Sequence, residues 1–283
     1  MVRRWSIPVL SATLAFGSML AVSGVAQASP AHVSHVTHVR PGASAVHSFK
    51  PGGVMRWVGG RHTATRHGRN TTAESTNWSG YAVTGANGTY SSVSATWTEP
   101  TATCTTTGGR RGGGDKYAAF WVGLDGYSSD SVEQTGTDSD CNGKTPDYYG
   151  WYEMYPADPV YFTNTVKPGD SFSASVTFSG TETYTLVLTD STQGWTQTIT
   201  KNETGLDRSS AEVITEAPSS SSGVLPLADF GTVTYGTSHA NGTSLGSQSP
   251  VEIVMINNSG ADKDSTSAIN SSGGFSNTWL RSS

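Results

Sequence analysis

Acid is missing from roughly the first quarter of this chain: in 283 residues, no Asp or Glu occurs before Glu74. Cysteine is nearly absent, with Cys104 and Cys141 alone and no Cys-x-x-Cys pair, which argues against a redox centre or a cysteine-rich zinc module. Histidine is confined almost entirely to residues 32–67, leaving only His239 beyond them. After the first 28 residues no stretch of eighteen continuous apolar residues exists, so no membrane-spanning helix is expected. No window shows an apolar stripe with a 3.6-residue period, so amphipathic helices are not expected either.

What is present divides at Glu74. Arg3 and Arg4, an apolar run over 7–25 and the small-x-small triplet Ala26-Gln27-Ala28 predict a secretory signal peptide over 1–28. Pro8, Ser11, Ser18 and Ser23 make that run a poor membrane span. Residues 29–73 hold six basic residues and six histidines. Residues 74–283 carry all 22 acids against nine bases, a formal charge of −13. A basic leader ahead of an acidic domain predicts a removable propeptide rather than a nucleic-acid arm, with an attraction that weakens as carboxylates take up protons in acid. His32, His35 and His38 fit a solvated leader tract better than a zinc site, and the Gly108–Gly114 stretch lacks the Lys-Ser/Thr ending of a phosphate loop. In an exported chain, Cys104 and Cys141 predict a single disulfide, contributing about 3–4 kcal/mol by closing its loop.

From Thr76 onward the texture is that of short strands. Val93, Ala95 and Trp97 alternate, as do Phe172, Ala174, Val176 and Phe178. The same period recurs at Tyr184, Leu186 and Leu188, at Trp195, Gln197 and Ile199, and at Val251, Ile253 and Met255. Turn signals such as Ala86-Asn87-Gly88 and Gln193-Gly194 separate them. The expected fold is all-β, a sandwich of two large antiparallel sheets. Ser219–Gly223 is expected as a loop, and the polar tail after Gly260 as partly loose.

Among candidate chemistries, Gly242-Thr243-Ser244-Leu245-Gly246 matches a serine nucleophile turn, but it sits in a Gly/Ser-rich region and His239 precedes it. More promising are carboxylates and amides among aromatics. Tyr149, Trp151, Glu153 and Tyr155 share one face of a strand, with Tyr148, Tyr152 and Met154 on the other. Such a face is either a substrate groove or an exposed aromatic ladder, and composition does not choose between them. Val132 and Gln134 share a face, as do Glu212, Ile214 and Glu216. An amide and a carboxylate brought together can hold an attacking water without metal or covalent nucleophile.

In order, the chain shows Asn77-Trp78-Ser79-Gly80, Trp121-Val122-Gly123-Leu124-Asp125-Gly126 and Gln134-Thr135-Gly136 with Asp138. Trp151-Tyr152-Glu153-Met154-Tyr155-Pro156, Ala211-Glu212 with Glu216, and Ala228-Asp229-Phe230-Gly231 follow. Taken together, over roughly 77–256, these resemble the glutamic peptidases, or eqolisins. The resemblance implies a secreted proenzyme that cleaves proteins in acid, with a concanavalin-like or jelly-roll-like sandwich and the active site on its concave face. It places Gln134 and Glu216 as the catalytic pair, and Trp78, Trp121, Asp125, Asp138, Glu153 and Tyr155 as substrate-binding or supporting residues. Met154 stands where a second Trp is usual, which predicts a reshaped pocket.

The chemistry implied is a Glu216 carboxylate taking a proton from a water that attacks the peptide carbonyl, while Gln134 holds that water and donates to the oxyanion. Expected partners are a protein or peptide substrate and the chain's own propeptide as inhibitor, with no cofactor, metal, nucleic acid or membrane, in a secreted, extracellular monomer. Two rival readings are a non-catalytic carbohydrate-binding sandwich and a glycosidase using Glu153 and Glu216.

Overall fold

The computed structural model describes residues 49–50, 53–56, 71–105 and 114–283. The expected signal segment, the leader histidines and most of the Gly108–Gly114 stretch lie outside the described residues. No α-helix occurs among the described residues, and the only helical element there is a 3-10 turn over Leu245–Ser247.

Two eight-stranded sheets pack face to face. One, the site sheet, runs Thr72–Ser75, Val251–Met255, Trp78–Thr84, Ser210–Glu216, Ala119–Leu124, Val132–Asn142, Thr145–Tyr155 and Val160–Tyr161. The other, the backing sheet, runs Trp195–Asn202, Thr183–Asp190, Ser171–Phe178, Ser92–Thr98, Thr232–Ala240, Phe275–Trp279 and Asp264–Thr266, with Thr243–Ser244 paired beside Thr232–Ala240. Ladders are antiparallel except that Thr72–Ser75 lies parallel to Val251–Met255. The two residues before Glu74 thus already belong to the site sheet.

The period-two pattern explains the core. Phe120, Val122 and Leu124 of one sheet meet Val93, Ala95, Trp97, Phe172, Val176, Leu186 and Leu188 of the other in one buried cluster. Trp97 and Phe172 stack at 5.8 Å, and the Trp97 indole donates across the sandwich to Thr137 Oγ1 at 3.0 Å, so a buried polar atom is satisfied. The expected disulfide between Cys104 and Cys141 is formed.

Three expectations need correction. The tail after Gly260 is not loose: Asp264–Thr266 and Phe275–Trp279 are strands of the backing sheet. They are secured by buried polar bonds, with Ser79 Oγ donating to Asp264 Oδ2 and Asn277 Nδ2 donating to Ser79 Oγ at 2.7 Å. Ser219–Gly223 is not a free loop. Ser219–Ser220 turns back on Gly223–Val224, and the same two serines pair with Phe49–Lys50 of the leader. Met154 does not shape a substrate pocket, because its strand turns it toward the core between the sheets.

Candidate active site

The face of the site sheet turned away from the backing sheet holds a second buried cluster, including Trp78, Trp121, Trp151, Tyr127, Val132 and Ile214. Gln134, Asp138, Glu153, Glu212 and Glu216 share this face by register. Gly123 lies between Glu212 and Gln134, and Ala119 lies between Glu216 and Asp138. Gln134 and Glu216 are therefore on one face with one strand between them, two same-face rows apart. The small residues Gly123, Ala119 and Gly136 make room on the floor between them for one large ring.

The Trp121 indole lies in that floor. Its Nε1 donates to Glu216 Oε2 at 3.0 Å. Its Cζ3 edge comes within 2.8 Å of the position a Cβ would take on Gly123, a point 3.3 Å from Gln134 Cβ. One ring thus spans from the carboxylate to the stem of the amide. Glycine is required beneath it: a Cβ on Gly136 would sit 2.2 Å from Phe120 O and 2.5 Å from Trp121 Cβ.

Each candidate group has defined partners. Glu216 accepts from Trp121 Nε1 and, at 3.3 Å, from Asn77 Nδ2, and N–H donors of this kind stabilise an ionised carboxylate. Gln134 Nε2 donates to Glu153 Oε2 at 2.7 Å, which fixes how the amide is turned. Glu212 is the row neighbour of Gln134, yet burial, and then the charge of Asp125, push it well above the usual carboxylate range. Two positions four residues apart on one face of a strand thus hold one acid that burial pushes above the usual range and one supplied with N–H donors.

The supporting residues separate by environment. Glu153 touches Gln134 directly. Trp78 meets Trp121 edge to face at 4.8 Å. Asp138 accepts from Trp151 Nε1 at 2.7 Å, and burial followed by the Asp140 charge raises it well above its ordinary value. Asp140, on the same face, is pushed up to about 8 by burial. Asp125 serves the frame: it accepts from the backbone N–H groups of Arg208 at 2.6 Å and Ser209 at 2.8 Å, shaping the turn at the end of its strand. Tyr155 lies at the rim of the aromatic cluster, half-buried. Glu133, on the opposite face, is buried between the sheets and raised well above the usual range, mainly by desolvation.

Sequence reasoning passed over Asn77 as a site residue. The signal was available, since Asn77 opens the first motif of the resemblance. Its side chain joins Glu216 to leader residues 53–56, which lie against this face. Asn77 Oδ1 accepts from Arg56 N at 2.8 Å and Nδ2 donates to Val54 O at 3.3 Å. Met55 N donates to Gly126 O and Thr76 N to Arg56 O, both at 3.0 Å. Met55 is 5% exposed and belongs to the tryptophan cluster. Among the described residues, no group of three or more His, Cys, Asp or Glu is placed to hold a metal ion, and no helix is long and apolar enough to cross a membrane.

Two packed sheets bearing an acid, amide and tryptophan face define a glutamic-peptidase-like sandwich. Structures with this architecture include scytalido-glutamic peptidase with a transition state analog inhibitor, at 27% identity and a TM-score of 0.60, covering 72% of this chain and 98% of that one. The eqolisin SCP-B in complex with the tripeptide Ala-Ile-His is 26% identical, with a TM-score of 0.55 over 72% of this chain and 98% of that one. Aspergillopepsin-2 of Aspergillus niger is 31% identical over 190 residues, which is 61% of this chain and 66% of that relative's length. The model of the Peptidase A4 family matches residues 76–279, and the chain belongs to that family.

Proposed function

We propose that this protein is a secreted endopeptidase that hydrolyses protein substrates in acid, with Glu216 as general base and Gln134 as the group that holds the water and stabilises the oxyanion. The observation that carries this reading is the contrast between two acids of one strand. Glu212 is wholly buried and pushed above the usual carboxylate range by that burial, whereas Glu216 receives two N–H donors on the face it shares with Gln134.

In the proposed reaction, Glu216 takes a proton from the water as its oxygen bonds to the scissile carbonyl carbon. The Gln134 carbonyl oxygen orients the water. One amide hydrogen is committed to Glu153, and the reading assigns the second to the developing oxyanion. A donor of this type contributes about 3–4 kcal/mol to the transition state. Glu216 then passes its proton to the leaving amine as the C–N bond breaks. Two carboxylates acting on one water would have to share a proton, and an amide in one position removes that conflict. Because the amide does not titrate, activity extends into acid until Glu216 itself takes up a proton.

The leader over 29–73 is proposed as an inhibitory propeptide, the basic partner of an acidic domain, following a signal peptide over 1–28. The catalytic domain is assigned to 74–283, with the sheet reaching back to Thr72. The test is digestion of a denatured protein between pH 3 and 6 by the wild type and by Glu216→Gln, with the fold of each checked by circular dichroism. The expected result is loss of cleavage by about 10³-fold or more in a folded variant. Wild-type-like cleavage by folded Glu216→Gln would overturn the assignment.

A further inference from the structure

Residues 53–56 are held in a way that separates main-chain recognition from side-chain recognition. The main chain is gripped at Met55 N by Gly126 O, at Arg56 O by Thr76 N, and on both sides of Met55 by the one amide of Asn77. None of these contacts reads a side chain, so any extended peptide would satisfy them. One side chain is swallowed. Met55 enters the cluster of Trp78, Trp121, Tyr127 and Val132 and is almost wholly buried, whereas Arg56 stays exposed with its Nε donating to Ser219 Oγ at 3.1 Å. The same Asn77 amide that reaches Val54 O also reaches Glu216 Oε1, each at 3.3 Å. The groove continues beside the strap as a cavity of about 540 Å³ whose walls include Gly53, Tyr155 and Ser219.

We propose that residues 53–56 lie in the place of a substrate, and that the pocket filled by Met55 is the subsite that sets sequence preference, selecting an extended peptide with Met or Leu at that position. The proposal rests on the reading of Gln134 and Glu216 as the reacting pair. The pocket chemistry supports it. The walls given by Trp78, Trp121, Tyr127 and Val132 are aromatic and apolar, and burying Asp or Lys among them costs desolvation that Met and Leu do not incur. A side chain unbranched at Cβ bends into such a slot, while Val and Ile are stiff at χ1. Asn77, by pairing with peptide groups on both sides of that residue, is a positioning residue that sets the bound chain relative to Glu216.

Two measurements on the full chain test this. In the first, the acid-treated protein digests a mixed peptide library, and the residues around each cleaved bond are counted by mass spectrometry. The expected result is enrichment of Met and Leu at one fixed position, about tenfold over Val, Ile, Asp and Lys. A flat profile, or charged residues accepted equally at every position, overturns the proposal. In the second, initial rates on a fluorogenic peptide are recorded immediately after acidification for Met55→Asp and Met55→Leu. Met55→Asp is expected to start at least tenfold faster than the wild type, and Met55→Leu to keep the wild-type lag. An unchanged lag in Met55→Asp overturns the proposal, and if that variant fails to fold the library result decides. Failure of the peptidase reading looks different: cleavage would then be independent of Glu216, whereas Glu216-dependent cleavage with a flat profile sinks the pocket alone.

Discussion

The two sheets are built from similar residues but solve different problems. In the backing sheet, Trp195–Asn202 alternates between half-buried and exposed positions along its whole length. In the site sheet, Ser210–Glu216 and Ala119–Leu124 are buried at every position. One face of the site sheet packs on its partner, and the other is covered by its own tryptophans and, at Met55, by the leader. A sheet with water on one side tolerates Thr and Ser there. A sheet covered on both sides must find a hydrogen-bond partner, or a proton, for every acid it holds.

Substitutions sharpen that contrast, beginning with the largest expected effect. Gln134→Ala should leave the sandwich intact and reduce kcat by at least about 10²-fold, measured on a peptide substrate in acid. Phe120→Ala, which empties the centre of the shared core, should destabilise by about 3–5 kcal/mol in urea unfolding. Gly136→Ala should destabilise by a comparable amount in the same assay, since the new Cβ would sit 2.2 Å from the Phe120 backbone oxygen and 2.5 Å from Trp121 Cβ, neither of which can move freely. At the other extreme, Thr198→Ala on the wet side of the backing sheet should change stability by no more than about 0.5 kcal/mol.

Acid dependence offers another way to break the comparison. Burial pushes Glu99 from 4.5 to about 8, Asp140 to about 8 and Asp264 to about 7. Each of these groups keeps its proton in the folded state at pH values where the unfolded chain has lost it. Folding therefore takes up protons between about pH 4 and pH 8, and stability falls as pH rises through that window. Each pKa unit corresponds to about 1.4 kcal/mol, so the melting temperature should fall by about 5–10 °C or more from pH 4 to pH 8. A melting temperature that rises across that range would contradict the assignment of these acids as buried and neutral. Glu99→Gln should flatten the slope, because it removes one of the groups that lose their proton.

How much was legible in the sequence follows the same division. The alternation at Val93, Ala95 and Trp97 or at Tyr184, Leu186 and Leu188 announced strands, because a half-wet strand writes its geometry into its composition. The strand Thr145–Tyr155 was read down to its two faces, with Tyr149 and Trp151 on the site side and Tyr148, Tyr152 and Met154 in the core. The tail was misread because Ser79, Asp264 and Asn277, which secure it, are residue types ordinarily found at the surface. Only their mutual hydrogen bonds make them interior residues, and they are distant in sequence. The bond from Gln134 to Glu153 was hidden for a related reason, since register between strands, not spacing along one, brings them together. The strap at 53–56 carries no periodicity at all. It is ordered by what it lies against.

The strand Phe275–Trp279 sits inside the backing sheet, between Thr232–Ala240 and Asp264–Thr266, and Asn277 reaches Ser79 across 198 residues of sequence. A chain cut short before residue 275 would lack that strand and leave the edge of Thr232–Ala240 without its partner, an open ladder on which a second copy could add a strand of its own.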